Sequence, residues 1–137
     1  MSPKGGPLSI ATLSSVVATP TLMSAIDRAC LCARKSQENK GSEIVVLDLR
    51  EITPIYDYFV IVTGNSRRQI HTIAEDVDAG MREAGDHRHG IEGYEASKWV
   101  VQDYGDILVH IFDASTREYY KLEELWADAK RVDWERQ

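Results

Sequence analysis

The stretch Tyr58-Phe59-Val60-Ile61-Val62-Thr63-Gly64-Asn65-Ser66 decides how this chain folds. Its first five residues are aromatic or branched, too short a run for a helix and apolar on both sides. That pattern predicts a strand covered on both faces. A glycine turn follows, and Ser66 stands where a helix N-cap belongs, because its hydroxyl can accept one of the unpaired amide protons of a first turn. Beyond it Ile70, Ile73, Ala74, Val77 and Met81 recur at helical spacing until Gly85 ends the pattern.

Upstream, Ile44-Val45-Val46-Leu47 is a second strand of the same kind, again expected to sit centrally. Only Arg50 to Tyr56, with Pro54, separate the two strands. A parallel crossover needs about 10–12 residues, so the pair is predicted antiparallel. Leu22, Ile26, Ala29 and Ala33 predict an earlier helix, from Thr21 to near Gly41. Downstream, residues 86–97 form a polar loop with room for a short strand. Lys98–Gln102 and Ile107–Phe112 make a hairpin around Asp103-Tyr104-Gly105-Asp106. Leu122, Leu125 and Trp126 line a short helix. The order predicts an α/β fold, a single mixed β-sheet of four or five strands with helices packed on it.

The chain has 137 residues, 43% hydrophobic and 28% charged, which suits one globular domain. Residues 1–20 hold Pro3, Gly5, Gly6, Pro7 and Pro20 with no acid, and are expected to be a disordered arm. The folded unit is assigned to 21–128, and 129–137 to a charged C-terminal tail. No apolar run approaches the ~18 residues of a membrane span. An acid-poor arm with one lysine and no arginine argues weakly for organelle targeting, and the expected location is the cytoplasm. Cys30 and Cys32, spaced C-x-C, make neither a disulfide framework nor a zinc site.

The formal charge is -6, and it is uneven: residues 1–91 balance to -1, whereas 92–135 balance to -6. An acidic chain does not grip nucleic acid over its whole surface. The acidic third is either a solvated surface or a face that meets a basic partner.

Thr63-Gly64-Asn65-Ser66-Arg67-Arg68 is the candidate for chemistry, a glycine turn opening a helix beside two arginines, which favours an anion. Nucleotidyl transfer also needs paired carboxylates on adjoining strands for magnesium. The only D-x-D here, Asp76-Val77-Asp78, falls on the predicted helix. In Asp86-His87-Arg88-His89 the two histidines, at i,i+2, supply at most two metal ligands, and no other His or Cys is patterned to join them. His110 is expected to be a core histidine sharing a face with Leu108 and Phe112. Trp99, followed by Asp103, Tyr104 and Gly105, places two large aromatics near a turn, either as core or as interface anchors.

Taken in sequence, several pieces resemble the ribosomal silencing factor, or Iojap-like, family. They are Ile44–Asp48; Asp57–Ile61 running into Thr63-Gly64-Asn65-Ser66; Glu92-Gly93; Trp99 through Asp106; Val109–Phe112; and Arg117-Glu118-Tyr119-Tyr120 with Leu122-Glu123 and Leu125-Trp126. They span about residues 22–128. The resemblance implies a nucleotidyltransferase-like fold without the catalytic carboxylates, no enzyme activity and no cofactor. It implies binding to the large ribosomal subunit through ribosomal protein fourteen, which blocks subunit joining and represses translation. It also implies a homodimer when free, with neither a membrane nor sequence-specific nucleic acid as partner. A role in large-subunit assembly is the alternative, and an enzyme using the Gly64–Ser66 turn the more distant one. The partner contact is expected at Glu92, Gly93, Trp99, Val100, Asp103, Tyr104 and Gly105, with no catalytic or metal residues.

Overall fold

All seven residues of Tyr58–Gly64 are buried, and the sheet is built around them. The computed structural model describes residues 22–137. Helix α1 (Ala25–Glu38) begins at Ser24, whose Oγ accepts the Asp27 amide at 3.2 Å. Strands β1 (Ser42–Asp48) and β2 (Tyr58–Gly64) pair antiparallel, as their short connection predicts. Helix α2 (Arg67–Glu83) is capped by Ser66, whose Oγ accepts the Gln69 amide at 3.1 Å. Next come β3 (Gly90–Glu92), β4 (Trp99–Asp103) and β5 (Ile107–Asp113), then α3 (Ala114–Tyr120), α4 (Leu122–Leu125), β6 (Lys130–Arg131) and a 3-10 turn at Trp134–Arg136.

The six strands lie in the order β3-β4-β5-β2-β1-β6. Every neighbouring pair is antiparallel except β2 and β5, which run parallel from Tyr58 opposite Ile107 to Gly64 opposite Asp113. The chain leaves β2 through α2 and returns by the β3-β4-β5 meander, which gives β5 the direction of β2. The sheet is mixed, as expected, but exceeds four or five strands because β6 adds two paired residues.

Two expectations are corrected here. Residues 129–137 are not a tail outside the domain. Lys130 pairs with Asp48 and Arg131 with Leu47, the Val132 amide donates to the Val46 carbonyl at 2.9 Å, and Val132 and Trp134 pack on the core. Two apolar residues among charged ones hold the segment down, too few to give a visible period. Nor is β1 central. It stands one place from the edge, with Ser42 and Glu43 exposed. Leu125, expected to line the short helix, is 76% exposed, while Leu122 is buried and Trp126 half-buried. The expected disordered arm lies outside the described residues, among which no helix is long and apolar enough to cross a membrane.

Alternation along the strands gives the sheet two unlike faces. Val46, Tyr58, Val60, Val62, Val100, Ile107, Val109 and Ile111 meet α1 and α2 through Ala29, Cys32, Ala33, Ile70, Ile73, Ala74, Val77 and Met81. Each large aliphatic side chain buried there stabilises the fold by about 1.5–3 kcal/mol. The other face carries Leu47, Phe59, Ile61, Leu108 and Phe112, with Leu122, Trp126 and Ala129 laid over part of it.

Two buried arginines tie loops to this frame. Arg28 bridges Asp86 at 2.7 Å and Asp106 at 2.7 Å and donates from Nε to the Met23 carbonyl, locking the hairpin turn to the start of α1. Its guanidinium holds the Asp106 carboxyl below the usual carboxylate range. Arg117 donates to Thr63 Oγ1 at 2.9 Å and to Glu123 at 2.7 Å, fastening α3 and α4 to the end of β2.

Candidate functional site

The second face of the sheet is covered by helices only in part. Over β1 and β2 lie Leu122, Trp126 and Ala129. Over β4 and β5 the sheet is roofed mainly by its own rings. Trp99 stands opposite Phe112 in the β4–β5 register and stacks on it, centroids 4.8 Å apart and planes at 27°. Tyr120 packs on Trp99 at 4.9 Å, and Tyr119 packs on Tyr120 at 5.0 Å. Tyr56 and Trp126 meet Phe59 at 5.6 and 5.4 Å. Offset and tilted pairs of this kind suit the charge distribution of aromatic rings. Tyr119 remains 79% exposed and Tyr120 49%.

Two and four residues along β4 from Trp99, at Val101 and Asp103, the same face opens into a groove of about 380 Å³. Tyr56, Ile91, Val101 and Leu108 supply its apolar surface, and Glu92 and Asp103 stand at its margin. Val101 follows Trp99 by two residues and so shares its face. Asp103, two further on, pairs with Leu108. Asp103 also accepts the Gly105 amide at 2.7 Å, which shapes the hairpin end. The arrangement fits a basic side chain, its aliphatic stem on Val101 and Leu108 and its charged end between two carboxylates.

Five of the seven residues expected at a partner contact lie at this surface or shape it. Glu92 is exposed on β3, and Trp99 is half-buried. Gly93 has φ +80, and a Cβ there would come within 2.1 Å of the Trp99 carbonyl oxygen, so only glycine lets the chain pass so close to Trp99. Gly105, at φ +88, turns the hairpin. Val100 and Tyr104 are corrections. Val100 is 0% exposed because it is one residue from Trp99 and therefore points to the helix-covered face. Tyr104 is 2% exposed and donates its hydroxyl to Asp78 Oδ1 at 2.8 Å. Burial, with that hydrogen bond, pushes its pKa far upward. The groove residues Tyr56, Val101 and Leu108 were not anticipated. Strand alternation from Trp99 and the hairpin register are enough to find the last two.

His110 sits on the same face, 4% exposed, between Leu108 and Phe112 as expected. Its Nδ1 accepts the indole N–H of Trp99 at 3.1 Å, and its Nε2 has no hydrogen-bond partner. Burial pushes its pKa down to about 3.

Two amides of the glycine turn, those of Asn65 and Gln69, are taken up by the protein's own side chains. The Asn65 amide donates to the Gln69 side-chain oxygen, and Gln69 Nε2 donates to the Asn39 and Lys40 carbonyls at 3.0 and 2.9 Å. A Cβ at Gly64 would meet Ile70 Cγ1 at 2.6 Å, so glycine here serves helix packing. Of the D-x-D pair, Asp76 accepts from Asn39 at 2.7 Å and Asp78 from Tyr104 and Arg82. In the Asp86–His89 segment, Asp86 is taken by Arg28, and a Cβ on Gly105 would meet the His89 ring at 2.9 Å. Among the described residues no group of three or more His, Cys, Asp or Glu is placed to hold a metal ion.

A family model described as ribosomal silencing factor during starvation matches residues 23–137, which includes the segment after 128. The chain is 38% identical over 105 residues to the ribosomal silencing factor RsfS of Halalkalibacterium halodurans, covering 77% of this chain and 90% of that one. It is 33% identical over 93 residues to a Mus musculus protein named mitochondrial assembly of ribosomal large subunit protein 1, covering 66% of this chain and 40% of the mouse protein. A crystal structure of a protein from Chromobacterium violaceum superposes with a TM-score of 0.74 at 33% identity, covering 77% of this chain and 88% of that one.

Proposed function

The chain belongs to the ribosomal silencing factor family, and from that premise we propose that it binds the large ribosomal subunit through the open sheet face and keeps the small subunit from joining. The observation that carries this reading is the groove further along β4 from Trp99, apolar along Val101 and Leu108 and margined by Glu92 and Asp103. A steric blocker requires no chemistry. It requires about 800 Å² of its own surface with one or two aromatic anchors at the centre. Trp99 is the anchor, and the two acids select a basic patch on a protein rather than a phosphate backbone. Large-subunit ribosomal protein fourteen is the partner that the family resemblance implies, with the protein a homodimer when free and its place of work the cytoplasm.

The protein is a binding factor and not an enzyme in this reading, which is supported by the engagement of the Gly64–Ser66 turn with Gln69 and Ile70. A part in large-subunit assembly uses the same face and differs in timing. The relative named for mitochondrial large-subunit assembly favours keeping it as the second reading.

Sedimentation with separated subunits tests the proposal. The protein is expected to pellet with free large subunits, not with small ones, and to slow formation of whole ribosomes. Truncating the anchor, Trp99→Ala, is expected to weaken binding by at least ~30-fold, about 2 kcal/mol. Asp103→Arg sets like charge against a basic patch and should abolish binding while the protein stays folded. Equal pelleting with both subunits, or wild-type affinity in both variants, removes the open face as the contact.

A further inference from the structure

His110 occupies a position where strand packing alone favours Leu or Phe. It lies between Leu108 and Phe112 on β5, opposite Ile61 of β2 and Val101 of β4, with the Phe59 ring edge against it at 4.6 Å. An indole nitrogen can only donate, so the 3.1 Å contact from Trp99 makes Nδ1 the acceptor and leaves the imidazole proton on Nε2. That Nε2–H is buried and unpartnered. A buried donor without an acceptor is destabilising, and its retention calls for an explanation outside stability.

The explanation lies in what Nδ1 does. Trp99 is half-buried, stacked on Phe112 below and touched by Tyr120 at its side. Ring contacts restrain an indole without fixing which way its N–H points. The hydrogen bond to His110 fixes that direction, and His110 is itself immobilised by Phe59. We infer that His110 is a positioning residue, holding the Trp99 indole in the pose that meets the partner before the partner arrives. This inference rests on the proposed role of the open face. Because burial keeps the ring neutral down to about pH 3, the acceptor is present under all working conditions. A side chain ordered in advance need not be immobilised on binding, which is worth roughly three- to tenfold in affinity.

Three substitutions in the full chain separate the two ring nitrogens. His110→Phe removes the acceptor and keeps a ring. His110→Asn keeps an oxygen near the Nδ1 position. His110→Gln moves it toward the Nε2 position. The first measurement is the indole N–H resonance of Trp99 in the free protein, assigned by its disappearance in Trp99→Phe. The second is affinity for purified large subunits, and the third is the melting temperature. The expected result is that Phe and Gln shift the indole proton upfield and weaken binding three- to tenfold through faster dissociation. Asn should keep the shift and bind within about twofold of wild type. His110→Phe removes the unpaired Nε2–H but also the acceptor of the half-buried indole N–H, so its melting temperature should stay within a few degrees of wild type while binding weakens; a merely structural histidine would lose stability and binding together. In a Trp99→Ala background His110→Phe should add no further loss. If Trp99→Ala weakens binding while His110→Phe binds like wild type, the positioning role is wrong and the open face stands. An additive loss in the double variant also overturns it, since His110 would then act independently of Trp99. If Trp99→Ala itself binds at wild-type affinity, the open-face reading fails first and this inference falls with it.

Discussion

The two faces of the sheet are made by alternate residues of the same strands, and they differ in kind. Under α1 and α2 the strands present Val46, Val60, Val62, Val109 and Ile111, facing Ala29, Cys32, Ala33 and Ala74. Small and branched side chains let two helices approach closely. One residue along, the other face presents Phe59, Trp99, His110 and Phe112, with Tyr120 and Trp126 against them. These rings shield the strands themselves, and four of the six carry a polar atom. On the helix-covered face the polar ends of Tyr104 and Gln102 are spent on Asp78 and the Ala74 carbonyl of α2. On the other face Tyr119 and Tyr120 remain exposed, and aromatic residues with a polar end give a partner area and direction together.

The largest effect expected from this contrast falls on the boundary of the closed face. Arg28→Ala would strand Asp86 and Asp106 beside an apolar core, and breaking a buried pair in this way costs about 3–5 kcal/mol. Asp106 is partly exposed, with 35% of its side-chain surface open, so the lower end applies. Urea unfolding should show that loss, while the folded fraction still binds large subunits. A loss below about 1 kcal/mol would mean that the turn is held by β4 and β5 alone.

A smaller effect separates the faces by pH. The unfolded chain protonates His110 near pH 6.5, and the folded protein refuses that proton until about pH 3. Between those values the unfolded state binds more protons, so the contribution is complete above pH 6.5 and is lost as pH falls, by about 1.4 kcal/mol per pH unit. Phe59, Trp99 and Phe112, the rings packed on His110, do not titrate there. Asp106 and Glu123, held low by Arg28 and Arg117, lose their contributions only as pH falls toward and below about 4. Stability measured from pH 6.5 to 5 should therefore fall more steeply in wild type than in His110→Phe. Equal slopes would show that the ring takes its proton in the folded state and that the open face is wet beneath Trp99.

The contrast itself was only half legible in the sequence. The β2 run, the Ser66 cap and the stripe from Ile70 to Met81 announce strand, turn and helix because period and capping are local. The short Arg50–Tyr56 connection likewise gives the antiparallel pairing. Which face stays open is not local, since Val60 and Ile61 look equally apolar and only the placement of α1 and α2 distinguishes them. Nearness in the chain puts Val100 and Tyr104 with Trp99, although strand alternation alone sends Val100 to the other side. Lys130-Arg131-Val132 hid a strand and a core contact inside a charged stretch. His110 was legible as buried, but its bond to Trp99 depends on the β4–β5 register and on the rotamer of the indole.

The smallest effect expected tests whether function lies on the open face at all. The rival place is the Gly64–Ser66 turn, where a phosphate would need free amides and a magnesium ion would need carboxylates. The Asn65 and Gln69 amides instead donate to Gln69 Oε1 and Ser66 Oγ, and Asp76 and Asp78 are engaged by Asn39, Tyr104 and Arg82. A phosphate at the Asn65 or Gln69 amide would have to displace those bonds, and no free carboxylate pair stands by to hold its magnesium. ATP or GTP with magnesium should therefore move the melting temperature by less than about a degree. Ligand at a hundredfold excess over a true dissociation constant would add roughly 2.7 kcal/mol. In a domain of this size that is several degrees. A shift of that size would return the turn to contention. If Gln69→Ala then enlarged it by freeing the Asn65 amide, the chemistry would belong to the end of β2 and the open face would be secondary.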